Sequence, residues 1–320
     1  MESVERPDHP GRLQALWARP EMEGLDVVLI TEPIHLRYLT GFTGTRGALL
    51  AARGESTLFI DARYENQAAE EVAGPEVVVV RGPPWAAAAD RITADQRAGF
   101  EARRMCAADA DRLRRHSSAR AWEGVDAGLE ALRRTKDGWE VVALREAAGI
   151  ADAVWEELRE RLVPGLTEWG VAGMVEESLR RHGSRGSAFE PIVASGVRGA
   201  LPHGRASGKV LEEGECVTVD FGAVVEGYHS DIARSWRLGD ADPEEQAWFE
   251  VLDEALTAAV QALEPGLSGA EVDGVARGII DEAGYGAYFV HNLGHGIGLE
   301  VHEGPRLARG SSDRLEAGMT

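Results

Sequence analysis

Only two cysteines, Cys106 and Cys216, occur in 320 residues. That is too few for a cysteine-rich zinc site or a disulfide framework, and it suits a reducing compartment. No run of about 18 apolar residues occurs, and the opening MESVERPDHPGRLQ carries no apolar stretch of the signal-peptide kind. A membrane-spanning segment and a secretory leader are therefore both unsupported, and the expected location is cytoplasmic. Positive charge is also scarce: 34 Lys+Arg stand against 54 Asp+Glu, a net −20. This argues against nucleic acid and anionic membrane as partners, since both require clustered basic residues. A phosphate loop is missing as well, because Gly294, Gly296 and Gly298 alternate without the G-x-G-x-x-G spacing or a following Lys-Ser/Thr. What remains, 44% hydrophobic and 28% charged, is an ordinary globular mixture, long enough for two domains with their own cores.

The most informative stretch runs from Cys216 to Arg234. Alternating apolar residues on either side of Glu226-Gly227 predict two β-strands folded about a glycine-bearing turn. Side chains alternate faces along a strand, and neighbouring strands lie ~4.8 Å apart, so Asp220 and Asp231 are expected on one face, opposite or diagonal to each other. Two carboxylates so close repel unless a cation separates them, and a divalent metal with bonds of ~2.0–2.2 Å to oxygen fits the gap. The plainer alternative is a pair of hydrogen-bonded carboxylates at a sheet edge.

Earlier in the chain, short apolar runs at 26–30, 48–52, 56–60 and 77–80 read as strands. Helices are expected at 11–19, at 62–72 with Asp61 as its cap, and at 86–92. This pattern predicts an α/β layer domain over residues 1–132, in which His35, Asp61 and Arg63 take structural or subunit-contact roles. At Arg133-Arg134-Thr135-Lys136-Asp137 the texture changes to a long amphipathic helix. Val141, Leu144, Ala148, Ala151, Trp155, Leu158 and Leu162 step by three and four, and Pro164-Gly165 stops it. The second domain is accordingly placed at 133–320.

This second domain nearly repeats itself. Pro164-Gly165 and His182-Gly183 recur as Pro265-Gly266 and Ala283-Gly284, both 101 residues later, and Leu211-Glu212 recurs as Leu315-Glu316 at an offset of 104. Two helix-plus-strand halves facing each other would put a site at their centre. Five of the nine histidines fall between 203 and 302. His203 lies in a Pro- and Gly-punctuated loop, His229 precedes Asp231, and His291, His295 and His302 lie in a Gly-rich segment. The glycines flanking His295 are expected to let backbone approach a ligand closely.

These residues together resemble the pita-bread metallopeptidases, and within them aminopeptidase P and prolidase. The likeness rests on Asp220 and Asp231 in V-D-F-G-A…G-Y-H-S-D-I-A-R, on His203 in L-P-H, and on H-N-L-G-H-G-I-G-L-E-V-H-E at 291–303. Tyr38-Leu39-Thr40-Gly41-Phe42 and Asp61-Ala62-Arg63-Tyr64 are similar to the creatinase-like amino-terminal domain that accompanies them. The resemblance implies an α/β two-domain protein with a pseudo-symmetric pita-bread catalytic domain. It implies that Asp220, Asp231 and His295 bind two divalent metal ions, with manganese expected first and cobalt or zinc as alternatives. His203, His291 and His302 would position substrate and stabilise the oxyanion. The implied reaction removes the amino-terminal residue from peptides with proline in second position, by a hydroxide bridging the metals, in a cytoplasmic homodimer.

The family uses two further glutamate ligands. By the internal repeat, the counterpart of Asp220 is expected about four residues beyond Thr320, so three of the five ligands are expected within this sequence. Three alternatives stand beside the aminopeptidase: an Xaa-Pro dipeptidase, an inactive pita-bread scaffold that binds no metal, and a metal-free creatinase-like amidinohydrolase. The retention of Asp220, Asp231 and His295 together speaks against the last.

Overall fold

A computed structural model describes residues 7–320; the polar lead at 1–6 lies outside the described residues. The chain divides into two compact units, Met1–Arg133 and Arg134–Thr320.

The first unit is built on a six-stranded mixed sheet. Its strands are β1 (Val27–Ile30), β2 (Gly47–Ala52), β3 (Glu55–Asp61), β4 (Glu76–Val80), β5 (Arg97–Phe100) and β6 (Ala121–Gly124), in the order β4-β3-β2-β1-β5-β6. The β1, β2 and β3 neighbours are antiparallel, while β4, β5 and β6 join in parallel. Helices α1 (His9–Trp17), α2 (Pro33–Thr40), α3 (Glu65–Glu71), α4 (Pro84–Ala89), α5 (Ala107–His116) and α6 (Asp126–Arg134) complete the layers. Asp61 does cap the turn that follows it, accepting from the Arg63 N–H, but that turn is 3₁₀ before the α-helix begins. His35 is fully buried and its Nδ1 lies 2.5 Å from Glu101 Oε1. Glu101 also accepts from the N–H groups of Thr31 and Glu32, so the pair ties the start of α2 to the end of β5, a structural role.

In the second unit, α7 (Gly138–Arg159) opens with a capping box in which Asp137 and Glu140 satisfy each other's backbone N–H groups. Of the stripe that periodicity suggests, Leu144, Ala151, Leu158 and Leu162 are buried. Ala143, Ala147 and Val154 widen it on one side, since small residues permit close approach. The bulkier Trp155 sits at the flank, edge-on to Trp236. Then come α8 (Glu168–Arg181), β7 (Ile192–Ser195), β8 (Cys216–Phe221), β9 (Val224–Val225), β10 (Tyr228–His229) and β11 (Ile232–Arg237). They are followed by α9 (Pro243–Gln261), α10 (Gly269–Glu282), β12 (Gly294–Gly296) and β13 (Glu303–Leu307). The sheet β11-β8-β7 is antiparallel, and β12 pairs with β13.

The sequence repeat is a structural repeat. Gly165 N–H donates to Leu211 and Leu211 N–H to Leu166; Gly266 N–H donates to Leu315 and Leu315 N–H to Leu267. Thr167 caps α8 and Ser268 caps α10, each helix having 14 residues. The duplication extends further back than the sequence pattern suggested, since α9 carries its own Asp242–Glu245 capping box where α7 has Asp137–Glu140. The face of α7 packs on the sheet through a core that includes Val217, Val219 and Phe221. On α9 the stripe Trp248, Leu252, Leu256 and Val260 is exposed.

Candidate metal centre

The expected hairpin forms, but in four short pieces rather than two continuous strands. Glu226 and Gly227 make its turn, with φ of 45° and 74°, both left-handed as a two-residue hairpin loop of this twist requires. On either side Val225 pairs with Tyr228 and Phe221 with Ile232, one continuous register. Between these pairs His229 pairs with Val224 and Ser230 N–H donates to the Ala223 carbonyl, and the Ser230 side chain takes the return bond of that pair. Its Oγ accepts from Ala223 N–H and donates to the Ala147 carbonyl. A Cβ on Gly222 would overlap the Ser230 carbonyl, so only glycine lets the strands close here.

Asp220 lies opposite Ala233, two residues beyond Asp231, so the two aspartates are diagonal on one face, as strand alternation implies. The inward face of β8 carries Val217, Val219 and Phe221 into the core, while Thr218 and Asp220 face the other way. Asp231 Oδ2 is 3.4 Å from His295 Nε2 on β12, and the ring centroids of His295 and His302 are 4.2 Å apart. Ligand atoms of Asp231, His295 and His302 lie within 4.8 Å of one another, the only such group of three among the described residues.

The electrostatics follow from this crowding. Burial, and then the charge and hydrogen bond of Asp231, push Asp220 from its ordinary 3.8 to about 7. His295 is raised, chiefly by its contact with Asp231. His302 is lowered by burial and by the neighbouring His295, with His203 adding to the effect. His295 Nδ1 donates to the Gly296 carbonyl at 3.0 Å, which fixes the ring and turns Nε2 toward Asp231.

These observations test whether a divalent cation fits. Asp220 Oδ1 is buried without a partner, two carboxylates share one face, and an oriented imidazole nitrogen faces them. A hard cation satisfies all three, and its binding would displace the proton that Asp220 holds near neutrality. The metal-free protein carries a measurable trace of this strain. Because the folded pKa of Asp220 lies above its unfolded value, its contribution to stability is fully present below about pH 4 and is lost as pH rises through about 7. Asp220→Asn is therefore expected to raise the metal-free melting temperature by a few degrees at about pH 8 and to leave it unchanged near pH 4. Thermal scans at the two pH values check it, and equal shifts at both would contradict it.

His203 is exposed, at the tip of the loop after β7, close enough to bias His302. His291 is not in the cluster: its Nδ1 donates to the Asn292 carbonyl at 2.7 Å and its ring lies edge-on to Phe289. Two of the glycines around His295 are required by the protein's own packing. A Cβ on Gly296 would meet the backbone of Gly304, and one on Gly298 the Glu303 carboxylate, while Gly294 has ordinary room. Three acid–base pairs that the sequence did not single out brace the histidine segments: buried Glu168 with the partly exposed Arg198, and the buried pairs Asp273 with Arg277 and Lys136 with Glu303. Arg277 holds the carbonyls of Phe289 and His291 at 2.9 and 3.0 Å. The one sequence signal for any of them was the i,i+4 spacing of Asp273 and Arg277 on a helix.

Fold and site together define a two-domain protein whose second domain is internally duplicated and carries a carboxylate–imidazole cluster of a kind that could hold a metal ion. The match to known families makes this specific. Residues 142–320 match the metallopeptidase family M24, and residues 12–135 the creatinase/prolidase N-terminal domain. The chain belongs to metallopeptidase family M24, with the pita-bread catalytic fold and its creatinase-like companion. It is 38% identical to peptidase YqhT of Bacillus subtilis over 92% of this chain and 84% of that protein. Among solved structures it is similar to the Xaa-Pro dipeptidase from Bacillus anthracis, with a TM-score of 0.93 and 36% identity over 98% of this chain and 88% of that one. It is also similar to the X-Pro aminopeptidase from Thermotoga maritima, with a TM-score of 0.86 and 34% identity over 92% and 86%. No helix among the described residues is long and apolar enough to cross a membrane.

Proposed function

We propose that this protein is a metal-dependent peptidase that hydrolyses Xaa-Pro bonds, removing the amino-terminal residue from peptides with proline in second position. The observation that carries the reading is the convergence of Asp220, Asp231, His295 and His302 on one face of the duplicated domain. Asp220, Asp231 and His295 would hold two divalent ions, manganese first among the candidates, with cobalt and zinc also compatible with a carboxylate–imidazole set. Such ions, when bound, lower the pKa of water and polarise a scissile carbonyl. The protein's own residues supply the rest. The Nδ1 bond of His295 to the Gly296 carbonyl keeps its Nε2 oriented. His302, whose pKa burial lowers, is held neutral near pH 7 and offers an N–H to a carbonyl oxygen as it gains charge. His203 and His291 are assigned to substrate positioning from their neighbouring loops. Residues 1–132 are assigned as the companion domain and 133–320 as the catalytic one, in a cytoplasmic homodimer. The two free cysteines accord with a reducing compartment.

A second reading, an Xaa-Pro dipeptidase, is favoured by the likeness to the Bacillus anthracis enzyme of that name. One experiment separates the two: initial rates on an Xaa-Pro dipeptide and on an Xaa-Pro-Xaa tripeptide, with and without added Mn²⁺. Metal-dependent release of the first residue from the tripeptide, at a kcat/KM at least about tenfold above the dipeptide, is expected; a tenfold difference is ~1.4 kcal/mol of transition-state discrimination. The reverse preference establishes the dipeptidase, and activity unaffected by chelation would sink both.

A further inference from the structure

We propose that Glu168 is the positioning residue for His203, acting through the loop between β7 and β8; this rests on the peptidase role proposed for His203. Glu168 is the first residue of α8 and is completely buried. It accepts from Ser195 N–H and Oγ at 2.9 and 3.0 Å, from Ser207 N–H and Oγ at 3.1 and 2.6 Å, and from Arg198 Nε at 3.1–3.2 Å. One carboxylate thus holds both ends of the segment from 195 to 207. Arg198 reaches on from Glu168 to the Arg205 carbonyl at 2.6 Å, bracing the residues on either side of His203. Local turn bonds (Leu201 N–H to the Arg198 carbonyl, Gly204 N–H to the Leu201 carbonyl) and a bridge between Ile192 and Arg205 shape the loop, but its tip has no packing of its own: Leu201, Pro202 and His203 are exposed, and Val197 is 90% exposed.

The internal repeat shows that this carboxylate is not demanded by the fold. Both halves make the same backbone bonds before the second helix and both cap it with a hydroxyl residue. Yet the position equivalent to Glu168 is Gly269, where a Cβ would overlap the Arg306 carbonyl. A buried acid at this first helical position is therefore found only in the half whose following loop carries His203; the other half places its buried acid, Asp273, a turn further along its helix. Burial alone pushes Glu168 up, but the Ser207 and Ser195 bonds and the Arg198 charge outweigh it and hold the carboxyl below its ordinary range. The group is ionised at neutral pH and able to accept all five donors.

The test is a double-mutant cycle with a structural readout. Glu168→Gln keeps the shape but loses the charge and half the acceptor capacity. It is expected to lower kcat about tenfold, with KM within about twofold, and to cost nothing further in a His203→Ala background. In the same holoprotein, native-state trypsin cleavage after Arg198 and Arg205, followed by mass spectrometry, is expected to accelerate about tenfold as the loop opens. Arg198→Lys, at a partly exposed site, gives the same signs more weakly and serves if Glu168→Gln does not fold. Equal loss of activity in both backgrounds, or cleavage at the wild-type rate, would overturn the proposal. Should the wild-type chain hydrolyse no Xaa-Pro peptide, the function reading falls, while the loop clamp still stands or falls on the cleavage rates.

Discussion

Asp231→Ala is expected to lower kcat/KM on an Xaa-Pro substrate by on the order of 10³-fold or more, about 4 kcal/mol of transition-state stabilisation, while leaving the fold in place. Asp231 sits between β10 and β11 rather than within either, and its carboxylate faces His295 and Asp220 instead of the core. Removing it leaves no hydrophobic cavity. In the metal-free protein it relieves a repulsion, so Asp220 drops back toward, though not to, its ordinary value, because burial is the larger cause of its shift. The loss should therefore appear in activity and in bound metal by elemental analysis, with an unchanged circular-dichroism spectrum. A variant that keeps near-native kcat/KM would refute the assignment of this centre.

Gly222→Ala should be nearly as damaging, by another route. The added methyl collides with the Ser230 carbonyl and crowds Ala188. Ser230 cannot easily retreat, since its Oγ is engaged by Ala223 on one side and by the Ala147 carbonyl of α7 on the other. Relief requires breaking these buried bonds or spreading β8 from β11, either of which moves Asp231. Overpacking at such a site costs about 1–3 kcal/mol, and an orphaned buried hydroxyl or amide adds about as much again. We expect a lowered urea midpoint together with lost metal binding. Wild-type stability with full metal content would show that the narrow gap at Gly222 is unimportant.

The contrast between these two positions marks how far the primary structure could be read. Asp220 and Asp231 are local in sequence, and strand alternation with a two-residue turn forces them onto one face whatever packs above. The tandem Pro-Gly and Leu-Glu landmarks likewise exposed the duplication, because a repeated turn needs the same residue types each time. Gly222, by contrast, is one of 38 glycines, and nothing nearby in sequence announces that Ser230 will lie against it. Glu168 reads as an ordinary acidic residue in a first helical turn, although its five donors come from positions 195 to 207. The stripe on α7 was legible in period and largely in phase, with Leu144, Ala151, Leu158 and Leu162 buried, but not in width: Ala143, Ala147 and Val154 are buried beside it while Trp155 stays at the flank.

Sequence by itself determined the two-domain plan, the duplicated second domain, the placing of the two aspartates on one face and the imidazole-rich segment, because each depends on backbone periodicity or turn chemistry within a short span. Only the tertiary structure decided which histidines meet those aspartates. It brought His295 and His302 to the pair, set His203 at its margin and left His291 against Phe289, and it raised Asp220 to about 7. Those outcomes depend on long-range packing and on burial in a shared low-dielectric face, which no local pattern encodes.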